Sequence, residues 1–294
     1  MMYLGVIGDP GKRSLSPVFQ QAAIDALGLD ITYERWATPP EALVTRVEGL
    51  RAPSVLGANV TIPHKQAVIP LLDELDPLAG KVGAVNTIMN RDGRLHGYNT
   101  DVEGFLRGLR DDATFEPAGK RALIAGAGGA ARAVVVALAT AGARSIVIIN
   151  RTFPRASRLV EELAPLAGDT ELHALPDIYP SWAEAMRRAD LLVNCTPAGQ
   201  AAAGDAADAG RPVWEESPVP FDEIRPGILV YDLVYVPAET PLIKAAKTAG
   251  AAAFGGLPML IYQGAASLKI WTGREAPVDV MLRAARAALG LGTA

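Results

Sequence analysis

Residues 126–131 read Gly-Ala-Gly-Gly-Ala-Ala, where an apolar run, Ala122–Ala125, gives way to a helical pattern over Ala130–Ala141. A strand, a glycine turn and a helix in that order commit this part of the chain to an α/β arrangement around a parallel sheet. Each small residue has its own reason. Gly126 permits the tight turn, Gly128 lets the backbone approach a pyrophosphate at the helix N-terminus, and Ala131 allows close packing of helix on strand. Gly126, Ala127, Gly128, Gly129 and Ala130 are therefore candidate dinucleotide contacts.

The next strand, Ser145–Ile149, selects between dinucleotides. A site for a free ribose 2′-hydroxyl carries Asp or Glu about 20 residues beyond the glycine loop. Here the strand ends in Asn150-Arg151-Thr152, with Arg155 just beyond and no acid among them. Paired guanidinium donors suit a 2′-phosphate, which points to NADP rather than NAD. The alternative is that Arg151 and Arg155 are merely solvated.

Strand and helix signals alternate in the first hundred residues as well. Strands are expected at Tyr3–Ile7, Ile31–Trp36, Val55–Val60 and, as short strands around an Asn90-Arg91-Asp92-Gly93 turn, at Ala84–Met89 and Arg94–Gly97, and helices at Pro17–Leu27, Pro40–Leu50 and from Pro63 onward. This predicts a second α/β domain with a largely parallel sheet. A helix over Val102–Leu109 leads to a polar stretch, Arg110–Lys120, that reads as a boundary. Later strands are expected at Asp190–Asn194, Ile228–Tyr231 and Ala252–Phe254, with helices at Pro154–Leu163, Pro258–Trp271 and Val278–Leu289. Residues 198–211, rich in Ala, Gly and Asp, read as a surface loop.

At 294 residues the chain suits two domains, and its hydrophobic half can supply two cores. A net charge of −4 without a basic block speaks against nucleic acid or an anionic membrane as partner. No apolar run reaches the length of a membrane span, and the first residues read as a strand without a charged leader. The one cysteine, Cys195, excludes an internal disulfide, suits a cytoplasmic protein and reads as buried and inert. His64, His96 and His173 lack metal-site spacing, so no metal is expected.

Lys65 closes the run Asn59-Val60-Thr61-Ile62-Pro63-His64-Lys65. If Pro63 opens a helix, Lys65 lies in its first turn, where the helix dipole disfavours a cation by about 0.3–1 kcal/mol. A carboxylate partner would offset that cost, and Tyr98-Asn99-Thr100-Asp101, at another expected loop-to-helix junction, offers one. Two further polar clusters, Ser14-Leu15-Ser16-Pro17 and Ala84-Val85-Asn86-Thr87, also fall at element ends. Singly, each has a plain explanation: Ser16 as a helix cap, Asn86 as a turn residue, Asp101 as a cap.

In this order, and with the glycine loop, these clusters resemble the shikimate dehydrogenase family. The resemblance runs from about Tyr3 to Leu289. It includes Asn194-Cys195-Thr196-Pro197, Tyr231-Asp232-Leu233-Val234-Tyr235, Gly255-Gly256-Leu257-Pro258-Met259-Leu260 and Gln263. It implies two α/β domains flanking a cleft, residues 1–103 with 258–294 binding substrate and residues 104–257 forming a Rossmann-type NADP domain. The implied reaction is reversible NADPH-dependent reduction of 3-dehydroshikimate to shikimate, toward aromatic amino acids. The implied partner is thus a small-molecule substrate, with the protein a monomer or homodimer. Ser14 and Ser16 would hold the substrate carboxylate. Asn59, Thr61, Asn86, Asp101 and Gln263 would bond the ring hydroxyls, with Tyr235 also facing the substrate. Leu233 and Gly256 would line the nicotinamide, and Lys65 and Asp101 would form the acid–base pair.

The chain departs from the family pattern at Arg13, where His is frequent, at Gln200, where Met is common, and in a longer stretch toward Ser217-Pro218-Val219-Pro220. Alternatives are a quinate/shikimate or aminoshikimate dehydrogenase, and a catalytically silent NADP(H) sensor. Retention of both Lys65 and Asp101 argues against the sensor.

Overall fold

The computed structural model describes residues 1–11, 14–200, 217 and 219–292. Arg13 and most of the loop expected at 198–211 lie outside the described residues. The chain divides into two compact units, Met1–Phe105 with Leu260–Ala294, and Leu106–Met259.

The first unit opens with β1 (Met2–Gly8), α1 (Ser16–Ala26), β2 (Ile31–Ala37), α2 (Leu43–Gly49) and β3 (Val55–Val60). Strands β2 and β3 flank β1, both parallel to it. After β4 (Glu74–Leu75) and α3 (Pro77–Val82), β5 (Thr87–Arg91) and β6 (Arg94–Tyr98) form a hairpin, followed by α4 (Asp101–Arg107). The sheet order is β2-β1-β3-β5-β6-β4, with β5 antiparallel to both its neighbours. The sheet is therefore mixed rather than largely parallel. The physical reason is the two-residue turn: Asp92 and Gly93 both take positive φ (52° and 85°), which suits a tight hairpin and leaves no chain for a parallel crossover. Ile7, Val60, Val68, Val85, Ile88 and Leu95 pack with the buried face of α2 to form the core.

No helix opens at Pro63. Residues 63–68 are turns, and a single 3₁₀ turn covers Ile69–Leu71. Pro70 explains the failure, since in a helix from 63 its ring would strike the Gln66 carbonyl and no N–H would answer it. The Lys65 carbonyl instead accepts the Val85 N–H at 2.8 Å. The dipole argument for Lys65 therefore falls, because there is no helix end beside it.

The second unit is doubly wound. Its elements are β7 (Arg121–Ala125), α5 (Gly129–Thr140), β8 (Ser145–Asn150), α6 (Phe153–Leu163), β9 (Glu171–Pro176), α7 (Tyr179–Arg188), β10 (Leu191–Asn194), β11 (Leu229–Asp232), α8 (Pro241–Thr248) and β12 (Ala252–Gly255). The order β12-β11-β10-β7-β8-β9 is parallel throughout. It reverses direction between β7 and β10, where ligands bind in sheets of this type. Three of these elements are not read from the sequence. Strand β9 is a half-exposed edge that ends in Pro176, and α7 buries only one stripe, Trp182, Ala183, Ala185 and Met186. Helix α8 carries a start signal in Thr240-Pro241, where the Thr240 hydroxyl accepts the Ile243 N–H.

The closing helices are α9 (Leu257–Thr272) and α10 (Val278–Ala288), and from Leu260 on they belong to the first unit. Helix α10 packs on α1. Trp271 donates its indole N–H to the Ile88 carbonyl at 2.8 Å across Gly57, where a Cβ would stand 2.1 Å from that carbonyl oxygen. Only glycine permits this approach of α9 to the sheet. Among the described residues no helix is long and apolar enough to cross a membrane.

Candidate active site

In the first unit the Lys65 ammonium stands 2.6 Å from Asp101 Oδ2. The lysine side chain keeps 15% of its surface and the aspartate 4%. Asp101 heads α4, and Asn99 caps it by accepting the Asp101 N–H at 3.0 Å. Negative charge at a helix N-terminus is favourable, so Asp101 is stabilised from two sides. Its second oxygen accepts from Asn86 Nδ2 at 2.9 Å. Both carboxylate oxygens are thus held by the protein, and the lysine is the more accessible member of the pair.

Asn86 is the centre of the constellation. Its amide also donates to Thr100 Oγ1 at 2.8 Å and to Gln263 Oε1 at 3.2 Å, while its carbonyl accepts the Thr100 N–H at 2.8 Å. Gln263 reaches it from α9, 177 residues along the chain, and is itself anchored on the Leu260 carbonyl at 2.6 Å.

A layer of hydroxyls lies beneath. Ser267 Oγ stands 2.7 Å from Thr87 Oγ1, 3.1 Å from Thr100 Oγ1 and 3.0 Å from Asn59 Nδ2. Asn59 also donates to the Asn86 carbonyl at 3.1 Å and accepts the Tyr33 hydroxyl at 2.7 Å. Burial holds the Tyr33 phenol well above its ordinary pKa, against the opposing effect of a hydrogen bond with Ser16, so the phenol stays neutral and keeps its proton to donate. Tyr33 and Ser267 are absent from the sequence reading. Ser267 carried a signal, four residues after Gln263 on one helix face. Tyr33 carried none, since nothing in a strand tyrosine tells which asparagine it will meet.

The other residues expected at the substrate divide between the units. Ser14 and Ser16 begin α1, where Ser14 Oγ accepts the Ser16 N–H at 3.2 Å. Thr61 follows β3, and its methyl fills the space where a Cβ on Gly8 would sit, at 2.4 Å. Tyr235 belongs to the second unit, half-buried after β11, and burial raises its phenol pKa.

In the second unit the glycine loop joins β7 to α5 as expected of strand, turn and helix. Gly126 takes φ +108°, and a Cβ there would lie 3.0 Å from Thr196 Cγ2. At Gly128 the same Cβ would meet nothing of the protein within 4 Å. Packing therefore explains the first glycine and not the second. At the end of β8 Asn150 donates to the Thr152 carbonyl at 2.9 Å. Arg151 and Arg155 are exposed, and neither guanidinium has an ion-pair partner among the described residues. Gly256 is forced by contact, since a Cβ there would stand 2.1 Å from the Leu233 carbonyl oxygen. Among the described residues no group of three or more His, Cys, Asp or Glu could hold a metal ion.

A doubly wound domain with a dinucleotide loop, joined to a domain holding a buried lysine–aspartate pair, defines a nucleotide-dependent oxidoreductase. Three family descriptions match along the chain. They are the shikimate dehydrogenase substrate binding domain at residues 6–88, shikimate/quinate 5-dehydrogenase at residues 111–206, and the shikimate 5′-dehydrogenase C-terminal domain at residues 256–286. The chain belongs to the shikimate dehydrogenase family. Shikimate dehydrogenase (NADP(+)) of Moorella thermoacetica is 49% identical over 291 residues, covering 98% of this chain and 93% of that one. Shikimate 5-dehydrogenase of Thermus thermophilus, solved with NADP(H) and shikimate, superposes with a TM-score of 0.83 at 39% identity, covering 98% and 100% of the two chains. Quinate dehydrogenase of Corynebacterium glutamicum, solved with NAD, gives 0.84 at 30% identity over 96% and 98%.

Proposed function

We propose that this protein reduces 3-dehydroshikimate reversibly to shikimate with NADPH, a step toward chorismate and the aromatic amino acids. The carrying observation is the ammonium of Lys65 held 2.6 Å from Asp101, with the carboxylate's other oxygen tied to Asn86. In this reading residues 1–103 with 258–294 bind the substrate and residues 104–257 bind the cofactor. The protein acts on its small-molecule substrate as a monomer or a homodimer.

The residues of the second unit suit NADP. Gly128 leaves open space at the head of α5, and Arg151 and Arg155, without ion-pair partners among the described residues, offer two cations after β8 for a 2′-phosphate. These residues would hold NADPH, Leu233 and Gly256 would line its nicotinamide, and the cofactor would supply the hydride. Lys65 does the proton work. As the carbonyl oxygen of the substrate gains negative charge, the ammonium stabilises it and hands over a proton; in the oxidation direction the neutral amine takes it back. One of its three N–H bonds is spent on Asp101, which leaves two to face the substrate. Asp101 aims the lysine, compensates its charge and completes the acid–base pair. Asn86 and Gln263 present the amide groups that bond ring hydroxyls, supported by Asn59, while Thr61 and Tyr235 add further contacts. Ser14 and Ser16 hold the carboxylate through their hydroxyls.

The test is a set of initial rates with shikimate and quinate, each against NADP⁺ and NAD⁺. A kcat/KM preference for shikimate with NADP⁺ is expected. Preferred turnover of quinate with NAD⁺ would reassign the chain to the quinate branch, which the absence of an acid at Asn150-Arg151-Thr152 speaks against.

A further inference from the structure

Asp232, the last residue of β11, is fully buried and makes no ion pair among the described residues. Its Oδ1 accepts from Asn194 Nδ2 at 2.8 Å and from the Val234 N–H at 3.1 Å, and its Oδ2 accepts from Thr240 Oγ1 at 2.6 Å. All three donors are neutral. Burial raises its pKa while these hydrogen bonds pull it down. Activating the neighbouring thiol is not its use, because burial and the Asp232 charge both hold Cys195 protonated.

The geometry points to Asp232 as a positioning residue for the cofactor, acting through Asn194 on the two turns at the carboxyl edge of the sheet. Asn194 and Asp232 stand opposite each other as the final residues of neighbouring parallel strands. Asn194 then passes the constraint on. Its Oδ1 accepts the Thr196 N–H at 2.9 Å and the Thr196 hydroxyl at 2.7 Å, and its main-chain carbonyl accepts the Leu233 N–H at 3.0 Å. Thr196 in turn accepts the Ala198 N–H at 3.2 Å and lays its methyl against Gly126 of the glycine loop. Asp232 itself fixes Val234. One carboxylate thus sets the turn at 194–199, the turn at 232–235 and, through Thr196, the wall of the glycine loop. A carboxylate accepts from all three donors at once, whereas an amide would present a donor toward Thr240 and force its hydroxyl, which also accepts the Ile243 N–H, to reverse its hydrogen bond.

This inference rests on the cofactor reading of the second unit, and the experiment separates the two. NADP⁺ is titrated by calorimetry into the wild type and into Asp232→Asn, Thr196→Val and Thr240→Val, with steady-state constants and thermal melting measured on each. Asp232→Asn is expected to weaken NADP⁺ roughly ten- to a hundredfold, with the KM for shikimate nearly unchanged, as for displaced positioning groups. Thr196→Val leaves the buried carboxylate in place, so it tests the relay even if Asp232→Asn fails to fold; it should weaken NADP⁺ in the same direction. Thr240→Val removes the donor to Asp232 Oδ2 together with the cap of α8, so it should lower the melting temperature and weaken NADP⁺ in the same direction as Asp232→Asn, by less. If Thr196→Val, and Asp232→Asn where it folds, melt lower yet bind NADP⁺ as the wild type does, Asp232 is structural and the inference is overturned. A wild type that binds no NADP⁺ overturns the cofactor reading itself.

Discussion

The two units build their sites in opposite ways. In the second, the glycine loop is six consecutive residues, and what it offers a ligand is backbone: N–H groups and the missing side chain of Gly128. In the first, Lys65, Asp101, Asn86 and Gln263 come from a loop, a helix start, a strand approach and a distant helix, and what they offer is side-chain chemistry. A contiguous backbone site needs only local geometry. A dispersed side-chain site needs the whole sheet, and the α9 helix laid on it, before any two of its members meet.

The largest way to break this contrast is at Lys65. Lys65→Ala should lower kcat by about 10³-fold, within the span of general acid–base catalysis, while leaving the KM for NADP⁺ within about twofold. Retained turnover would mean that the dispersed site is not where the chemistry occurs. Next, Gly128→Ala adds a methyl that meets no protein atom, so its melting temperature should match the wild type. Its KM for NADP⁺ should nevertheless rise roughly thirtyfold, about 2 kcal/mol of lost approach to the backbone. A stable variant with normal cofactor affinity would remove the backbone explanation. Arg151→Ala is smaller and sharper: a rise of about tenfold in the KM for NADP⁺, near 1.4 kcal/mol, with the KM for NAD⁺ unmoved. Equal effects on both would show that Arg151 does not read the 2′-phosphate. The smallest expected effect is Ser267→Ala, which strips a partner from Asn59, Thr87 and Thr100. Melting should fall by a few degrees, for roughly 1–2 kcal/mol, and kcat/KM for shikimate by a few-fold. An unchanged melt would show that the hydroxyl layer does not brace Asn86.

These differences track what could be read from residues alone. Lys65 shows how a right suspicion can rest on a wrong reason. The lysine does pair with Asp101, but no helix begins at Pro63, because Pro70 forbids it. Likewise the strands of the first sheet and the turn between β5 and β6 were legible, while the antiparallel pairing of β5 with β3, which makes the sheet mixed, was not. Edge strand β9 and the one-sided helix α7 escaped because shallow burial leaves little periodicity to read.

By itself the sequence determined the β7–turn–α5 unit, its glycine loop and the missing acid after β8, since each depends on residues adjacent in the chain, where sterics and propensity act directly. Only the tertiary structure decided that Asn86 joins Asp101 to Gln263, that Ser267 and Tyr33 brace it, and that Asp232 is buried without a counter-cation among the described residues. Hydrogen bonds between side chains 177 residues apart exist only after apolar packing has brought their elements together, and no local rule encodes which partners that packing will bring within about 3 Å.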